Sequence, residues 1–216
     1  ADYDTPQAAA AAAGESAANL RALGIELVLG PVIDVSLPDG GVLGARAYSD
    51  EPRQVAAFAV ESLRAYRRAG VLAAPKHFPG LGAASQETEL GPAKVGLSLE
   101  QLAQRDLSPF RAAIERGGAQ AMLVGHGAYE PDDFLVPASL SERIVTELLR
   151  RRLGFSGLVI ADDLSSPAVT AVQSIGDAAI RSLEAGVDML VVTRPAQEQE
   201  AAYLAVLGAV RKGELS

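Results

Sequence analysis

Lys76 and His77 close an apolar run, Val71-Leu72-Ala73-Ala74-Pro75, and are followed at once by Phe78-Pro79-Gly80. A strand that stops in Lys-His sets a cation and an imidazole at its C-terminal mouth, where parallel α/β folds bind ligands. A second apolar run, Gly157-Leu158-Val159-Ile160-Ala161, stops in Asp162-Asp163. Strands of one sheet that end in opposite charges point to a polar pocket on a barrel rim. A carboxylate there can act as nucleophile or general base, and the ammonium and the imidazole can hydrogen-bond a polar ligand. The alternative for Asp162-Asp163 is a cap on the next segment. Lysine is scarce, with Lys76, Lys94 and Lys212 alone against many arginines. A lysine at a strand mouth is therefore poorly explained as a solubilising residue.

Other strand ends carry chemistry too. His126 follows the apolar run 121–125 and faces the same rim, either lining a pocket floor or bonded to backbone as a structural imidazole. Asp34 ends an earlier strand, where it is expected to fix a neighbouring Arg or Lys. The spacing of the two histidines and the scattered acids lacks a compact metal-ligand pattern. Gly80-Leu81-Gly82 is not a dinucleotide loop, since no helix opens directly after it. No cofactor is expected.

The elements that must hold these residues alternate along the chain. Helices are predicted over 6–23 (Thr5 as N-cap, Pro6 at the first helical position), 52–68, 99–116, 141–153 (capped by Ser139 or Ser141), 174–185 and 196–212. Strands are predicted over 25–35, interrupted by Gly30-Pro31, and over 71–78, 121–125, 157–161 and 187–192. Residues 79–96 form a long loop. Near-continuous apolar strands separated by amphipathic helices imply a parallel sheet covered by helices, in one domain over 1–216. Five strands fall short of the eight that close a (β/α)8 barrel. An open doubly wound sheet and the later part of a barrel both fit that count.

Composition narrows the function classes. The chain has 216 residues, 49% hydrophobic and 21% charged, with net charge −8 and a pI near 4.8. Nucleic-acid binders usually present a basic face, so that class is disfavoured. No apolar run is long enough to cross a bilayer, and no signal peptide is visible. There is no cysteine, which excludes disulfides and thiolate metal sites and leaves the compartment open.

Ordered stretches along nearly the whole chain resemble glycoside hydrolase family 3, and most of all its single-domain β-N-acetylhexosaminidases. They are Leu23-Gly24-Ile25, Gly30-Pro31-Val32-Ile33-Asp34-Val35, Arg46-Ala47-Tyr48-Ser49-Asp50-Glu51-Pro52 and Lys76-His77-Phe78-Pro79-Gly80. Val136-Pro137-Ala138-Ser139-Leu140-Ser141 and the run from Leu153 to Leu164 follow. The resemblance implies a (β/α)8 TIM-like barrel to which this chain contributes the last five βα units. A separate N-terminal fragment would supply the first strands. It also implies a small carbohydrate substrate, with no nucleic-acid partner and no membrane contact.

On that resemblance Asp162 matches the family's nucleophile, which forms a covalent glycosyl intermediate in a retaining mechanism. Asp163 is expected to be structural. Lys76, His77 and Arg46 match positions that contact sugar hydroxyls; for Arg46 a surface ion pair with Asp50 or Glu51 is equally consistent. The departure lies in the acid/base. The hexosaminidases carry His-Gly after the Pro-Gly turn and Asp-Ser-His in the long loop. This chain has Leu81-Gly82 and Glu87-Thr88-Glu89. Either Glu89 or Glu87 serves as the acid in a glycosidase with altered acid/base, or the chain binds a glycan as an impaired pseudo-glycosidase. Two solvated charges on a loop are the plainest alternative.

Overall fold

The structure, a computed structural model, describes residues 3–215. It is an α/β chain that divides into two compact units, residues 1–83 with 97–123 and residues 84–96 with 124–216.

In the first unit, α1 (Pro6–Ala22) begins as expected, with the Thr5 hydroxyl accepting from the Ala8 N–H at 3.1 Å and Pro6 opening the helix. Its buried face is Ala9, Ala13 and Ala17, a four-residue repeat that lets α2 (Pro52–Arg68) pack close. The core face of α2 is richer, with Val55, Phe58, Ala59, Leu63 and their neighbours buried. Two short strands, β1 (Leu27–Val28) and β2 (Leu72–Ala73), pair in parallel with Leu27 opposite Leu72. The predicted strand 25–35 is interrupted because Pro31 has no N–H to give the ladder. Pairing resumes beyond it through Ile33 N–H to the Lys76 carbonyl (2.8 Å) and Lys76 N–H to the Pro31 carbonyl (3.0 Å). This second set of bonds extends the pairing to the site.

The helix predicted over 99–116 is broken. α3 (Leu99–Gln104) starts with a reciprocal cap between Ser98 and Gln101, and α4 (Leu107–Ala112) restarts after Arg105 and Asp106. Pro109 accounts for the break, since its ring clashes with the carbonyl four residues earlier, which belongs to Arg105. After α4, residues Ala113–Gly117 form one wider turn, and Gly118 ends it at φ +69°. The strand β3 (Ala121–Val124) is fully buried. Leu123 bonds to the Pro75 carbonyl and accepts from the Phe78 N–H, at 3.1 and 2.9 Å. Phe78 meets Phe110 edge to face, with ring centroids 5.3 Å apart and both residues at 0% exposure.

In the second unit, residues Arg143–Arg152 form a helix with i→i+5 spacing, burying Ile144, Val145, Leu148 and Leu149. Its cap is Ser141, whose hydroxyl accepts from the Ile144 N–H at 3.1 Å; Ser139 is engaged elsewhere. The strand β4 (Leu158–Asp163) runs two residues past its predicted end and takes in both aspartates. The short α5 (Pro167–Thr170) follows, then α6 (Ile175–Glu184), β5 (Met189–Val191) and α7 (Ala196–Lys212). β4 and β5 pair in parallel, and α6 packs on α7. Arg150 braces the opposite end of these strands, reaching the Gly157 and Gly186 carbonyls and Asp188, while Asp188 accepts from the Val159 N–H.

Phe110→Ala should remove one half of the buried aromatic pair beneath the Lys-His turn. A loss of about 3–5 kcal/mol is expected, read as a lower denaturation midpoint with little change in slope. A loss below about 1 kcal/mol would show that the pair is not packed as described.

Candidate functional site

In the first unit the site is built around a carboxylate. Asp34 is fully buried and accepts from the His77 backbone N–H (3.1 and 3.0 Å), from His77 Nδ1 (2.8 Å) and from the Leu81 N–H (2.7 Å). The expected partner of Asp34 was an Arg or Lys; the observed partners are an imidazole and two amides. The reason is local. The turn 77–81 presents inward amides, and a buried carboxylate needs several donors to offset lost hydration. Nδ1 of His77 therefore carries its proton toward Asp34. The Lys76–His77 and Phe78–Pro79 peptide bonds are cis. Lys76 is half-buried at its bridge with Val32, and Arg46 is exposed at the end of a single 3-10 turn, Gly44–Arg46.

Tyr48 anchors the segment behind Arg46. Its ring stacks on Phe58 at 4.9 Å and its hydroxyl meets Ser62. Burial pushes the Tyr48 hydroxyl pKa up, so it stays a neutral partner. Arg105 and Asp106 were not signalled by any sequence pattern we identified, yet they close the same region. Asp106 is fully buried and its pKa is pushed up to about 6, chiefly by burial and against the pull of Arg105, with Asp34 adding to the rise.

In the second unit β4 delivers the acids. Ile160 faces Met189 and Asp163 faces Val191, so three steps on β4 match two on β5. The extra residue is a bulge, a device that re-aims side chains next to functional sites. Asp162 lies in it, half-buried, and accepts from the Asp163 N–H at 2.9 Å. Asp163 looks after the backbone. It accepts from the Ser165 N–H (3.0 Å) and hydroxyl and from the Thr193 N–H (3.1 Å) and hydroxyl, joining the ends of β4 and β5. Burial opposes its charge, but these donors together outweigh burial and hold its pKa below the ordinary carboxylate value.

His126 is 2% exposed and uses both ring nitrogens, Nδ1 with the Ser139 hydroxyl (2.8 Å) and Nε2 with the Asp163 carbonyl (2.9 Å). Of the two roles considered for it, this bonding matches the structural imidazole.

The loop 84–96 belongs to this unit and is tied down. Ser85 and Lys94 bond to one another twice, Gln86 reaches the Pro92 carbonyl, and Val95 and Ala93 bond to Ala128. The buried Thr88 offers its carbonyl to the Ser166 hydroxyl (2.8 Å) and the Ala168 N–H (3.0 Å), at the start of the helix that follows β4. Glu87 and Glu89, on either side of Thr88, are both exposed. The Glu89 pKa is raised, first by partial burial and then by the charges of Asp162 and Asp163. Arg194 opposes the rise and Glu87 adds to it. The loop acids and the β4 acids thus lie within one electrostatic neighbourhood. Arg194 was also missed from sequence; the polar ending Thr193-Arg194 of the last strand was its only signal.

The family model described as glycosyl hydrolase family 3 N terminal domain matches residues 1–216. The chain belongs to that family. It is 37% identical over 194 residues to a β-hexosaminidase of Xanthomonas axonopodis pv. citri, covering 88% of this chain and 57% of the relative. It is 34% identical to an uncharacterized secreted glycosyl hydrolase of Arthroderma benhamiae, covering 100% of this chain and 62% of the relative. The chain thus spans about three-fifths of these curated relatives. Among solved structures it matches a family 3 β-N-acetylglucosaminidase from Paenibacillus with TM-score 0.93 and 35% identity, over 98% of this chain and 40% of that one. The chain is β-hexosaminidase-like in family and sequence.

The Asp106 shift fixes the sign of a pH effect. Its folded pKa lies above its unfolded value near 4, so the folded state holds the proton longer. Stability should fall as pH rises from about 4 to about 6, by on the order of 2 kcal/mol, and then level off. Urea titrations should show this slope flattened in Asp106→Asn; an unchanged slope would assign it to other groups. Asp163 acts oppositely, since its contribution is present above about pH 4 and is lost as pH falls through its lower folded value.

Proposed function

We propose that the protein containing this chain hydrolyses a β-linked sugar, N-acetylhexosaminide-like or a glucoside, with retention of configuration. Asp162 is the nucleophile and Glu89 the acid that protonates the leaving oxygen. The observation that carries this reading is the setting of Glu89, on a loop tethered to the segment after β4 and in the field of Asp162 and Asp163. An acid must hold its proton, and partial desolvation together with the charges of Asp162 and Asp163 moves the carboxyl of the surface residue Glu89 in that direction. After donation the glutamate becomes the base for the second step, and Arg194 stabilises that charged form. Glu87 is the alternative acid on the same tether.

Lys76 and Arg46 are proposed to donate to sugar hydroxyls, and His77 to accept from one through Nε2. His126, held by Ser139 and the Asp163 carbonyl, is proposed to support the β4 end more than to touch substrate. The named hexosaminidase and glucosaminidase relatives support an amino sugar as substrate. We further propose that the complete fold is a (β/α)8 barrel in which this chain forms the last five βα units. Its first strands would come from a separate N-terminal segment. β1 is paired only with β2, and β5 only with β4, among the described residues of the unit to which each belongs, which supports a need for further strands.

A second reading is favoured by one observation. The chain has two histidines, His77 and His126, and neither lies in the loop that carries the family's acid/base histidine. On this reading the protein binds a glycan without cleaving it.

In the complete protein Asp162→Ala should lower turnover of 4-nitrophenyl N-acetyl-β-glucosaminide by roughly 10⁴-fold or more. Glu89→Gln should cost about 10²–10³-fold on an alkyl glycoside, whose poor leaving group needs a proton, and far less on the nitrophenyl substrate. Equal losses on both substrates would remove Glu89 from the acid role. No release from any nitrophenyl glycoside, with sugar binding retained, would establish the second reading.

A further inference from the structure

Arg105 and Asp106 lie at the break between α3 and α4, about seventy residues from the segment they grip. One guanidinium nitrogen of Arg105 donates to the Val35 carbonyl (2.8 Å) and the Ser36 carbonyl (2.6 Å), directly after Asp34. The other donates to both Asp106 oxygens at 2.9 Å. Asp106 in turn stands against the turn that follows His77. A Cβ added to Gly80, which has φ +130°, would lie 2.5 Å from the Asp106 Cβ. A Cβ on Gly82 would lie 1.7 Å from the Val35 carbonyl oxygen. The two glycines are therefore what allow the 77–82 turn to close onto the 34–36 segment and the Arg105-Asp106 pair.

We propose that Arg105 and Asp106 are positioning residues for sugar binding. They clamp the 34–36 segment to the 77–82 turn, so that Asp34 holds His77 in one tautomer with Nδ1 protonated. A lysine cannot replace this arginine, because its single ammonium cannot span two carbonyls and grip a carboxylate in a planar fork. The role rests on the reading in which His77 accepts a hydrogen bond from a substrate hydroxyl through Nε2, but the clamp itself can be read without substrate.

Long-range ¹⁵N–¹H spectra of the imidazoles test it directly, since with only two histidines a His126→Gln variant assigns them. In the unsubstituted protein His77 should show the Nδ1–H tautomer; an Nε2–H tautomer would overturn the proposal. Arg105→Lys and the near-isosteric Asp106→Asn should each give a mixed tautomer. Each should also raise KM for 4-nitrophenyl N-acetyl-β-glucosaminide about tenfold, with kcat changed less than threefold. An unaltered His77 spectrum in both variants would refute the clamp. If one variant does not fold, the other decides; if neither folds, the tautomer of the unsubstituted protein does. His77→Gln separates the two ideas. Unchanged KM in that variant, with the tautomer still responsive to Arg105, would remove His77 from sugar binding and leave the clamp standing.

Discussion

A carboxylate withdrawn from water must be met by donors, and two such carboxylates organise this chain. Asp34 is satisfied by an imidazole and two amides of the turn that carries Lys76 and His77. Asp163 is satisfied by the amides and hydroxyls of Ser165 and Thr193. Neither acid needs to touch a ligand to matter. Each ties down the end of a short strand that is otherwise held by a few ladder bonds. Charge-assisted hydrogen bonds suit this task, being stronger and more directional than apolar contact.

The same logic explains why so much polar structure sits beneath the strand mouths. Arg105 neutralises Asp106 and takes up two carbonyls that the interrupted strand leaves without ladder partners. His126 bonds the Asp163 carbonyl and the Ser139 hydroxyl, while Ser182 takes the Ser139 carbonyl. A buried polar network is costly when half satisfied and rigid when complete. Each network is internally satisfied at the bonds named.

Glu87-Thr88-Glu89 is held in place through its middle residue. The middle residue is the anchor, through a backbone carbonyl that any residue type supplies. The flanking side chains take no part in that anchor, and partial burial followed by the charges of Asp162 and Asp163 raises the pKa of the Glu89 carboxyl.

Helix limits were legible wherever capping chemistry was local. Thr5-Pro6 marks a start that the structure repeats, and Ser141 caps the helix predicted over 141–153. The Lys-His and Asp-Asp endings were legible as strand mouths, and their order along the chain carried the family. Only the tertiary structure decided that Asp163 serves the backbone and that Asp34 answers to His77. It also brought Arg105 to Val35, and Arg194 into the field of Glu89. The physical reason is separation in sequence. A cap is read within four residues, whereas the donors that reach Asp34 and Asp163 across the fold come from 43 and 30 residues away.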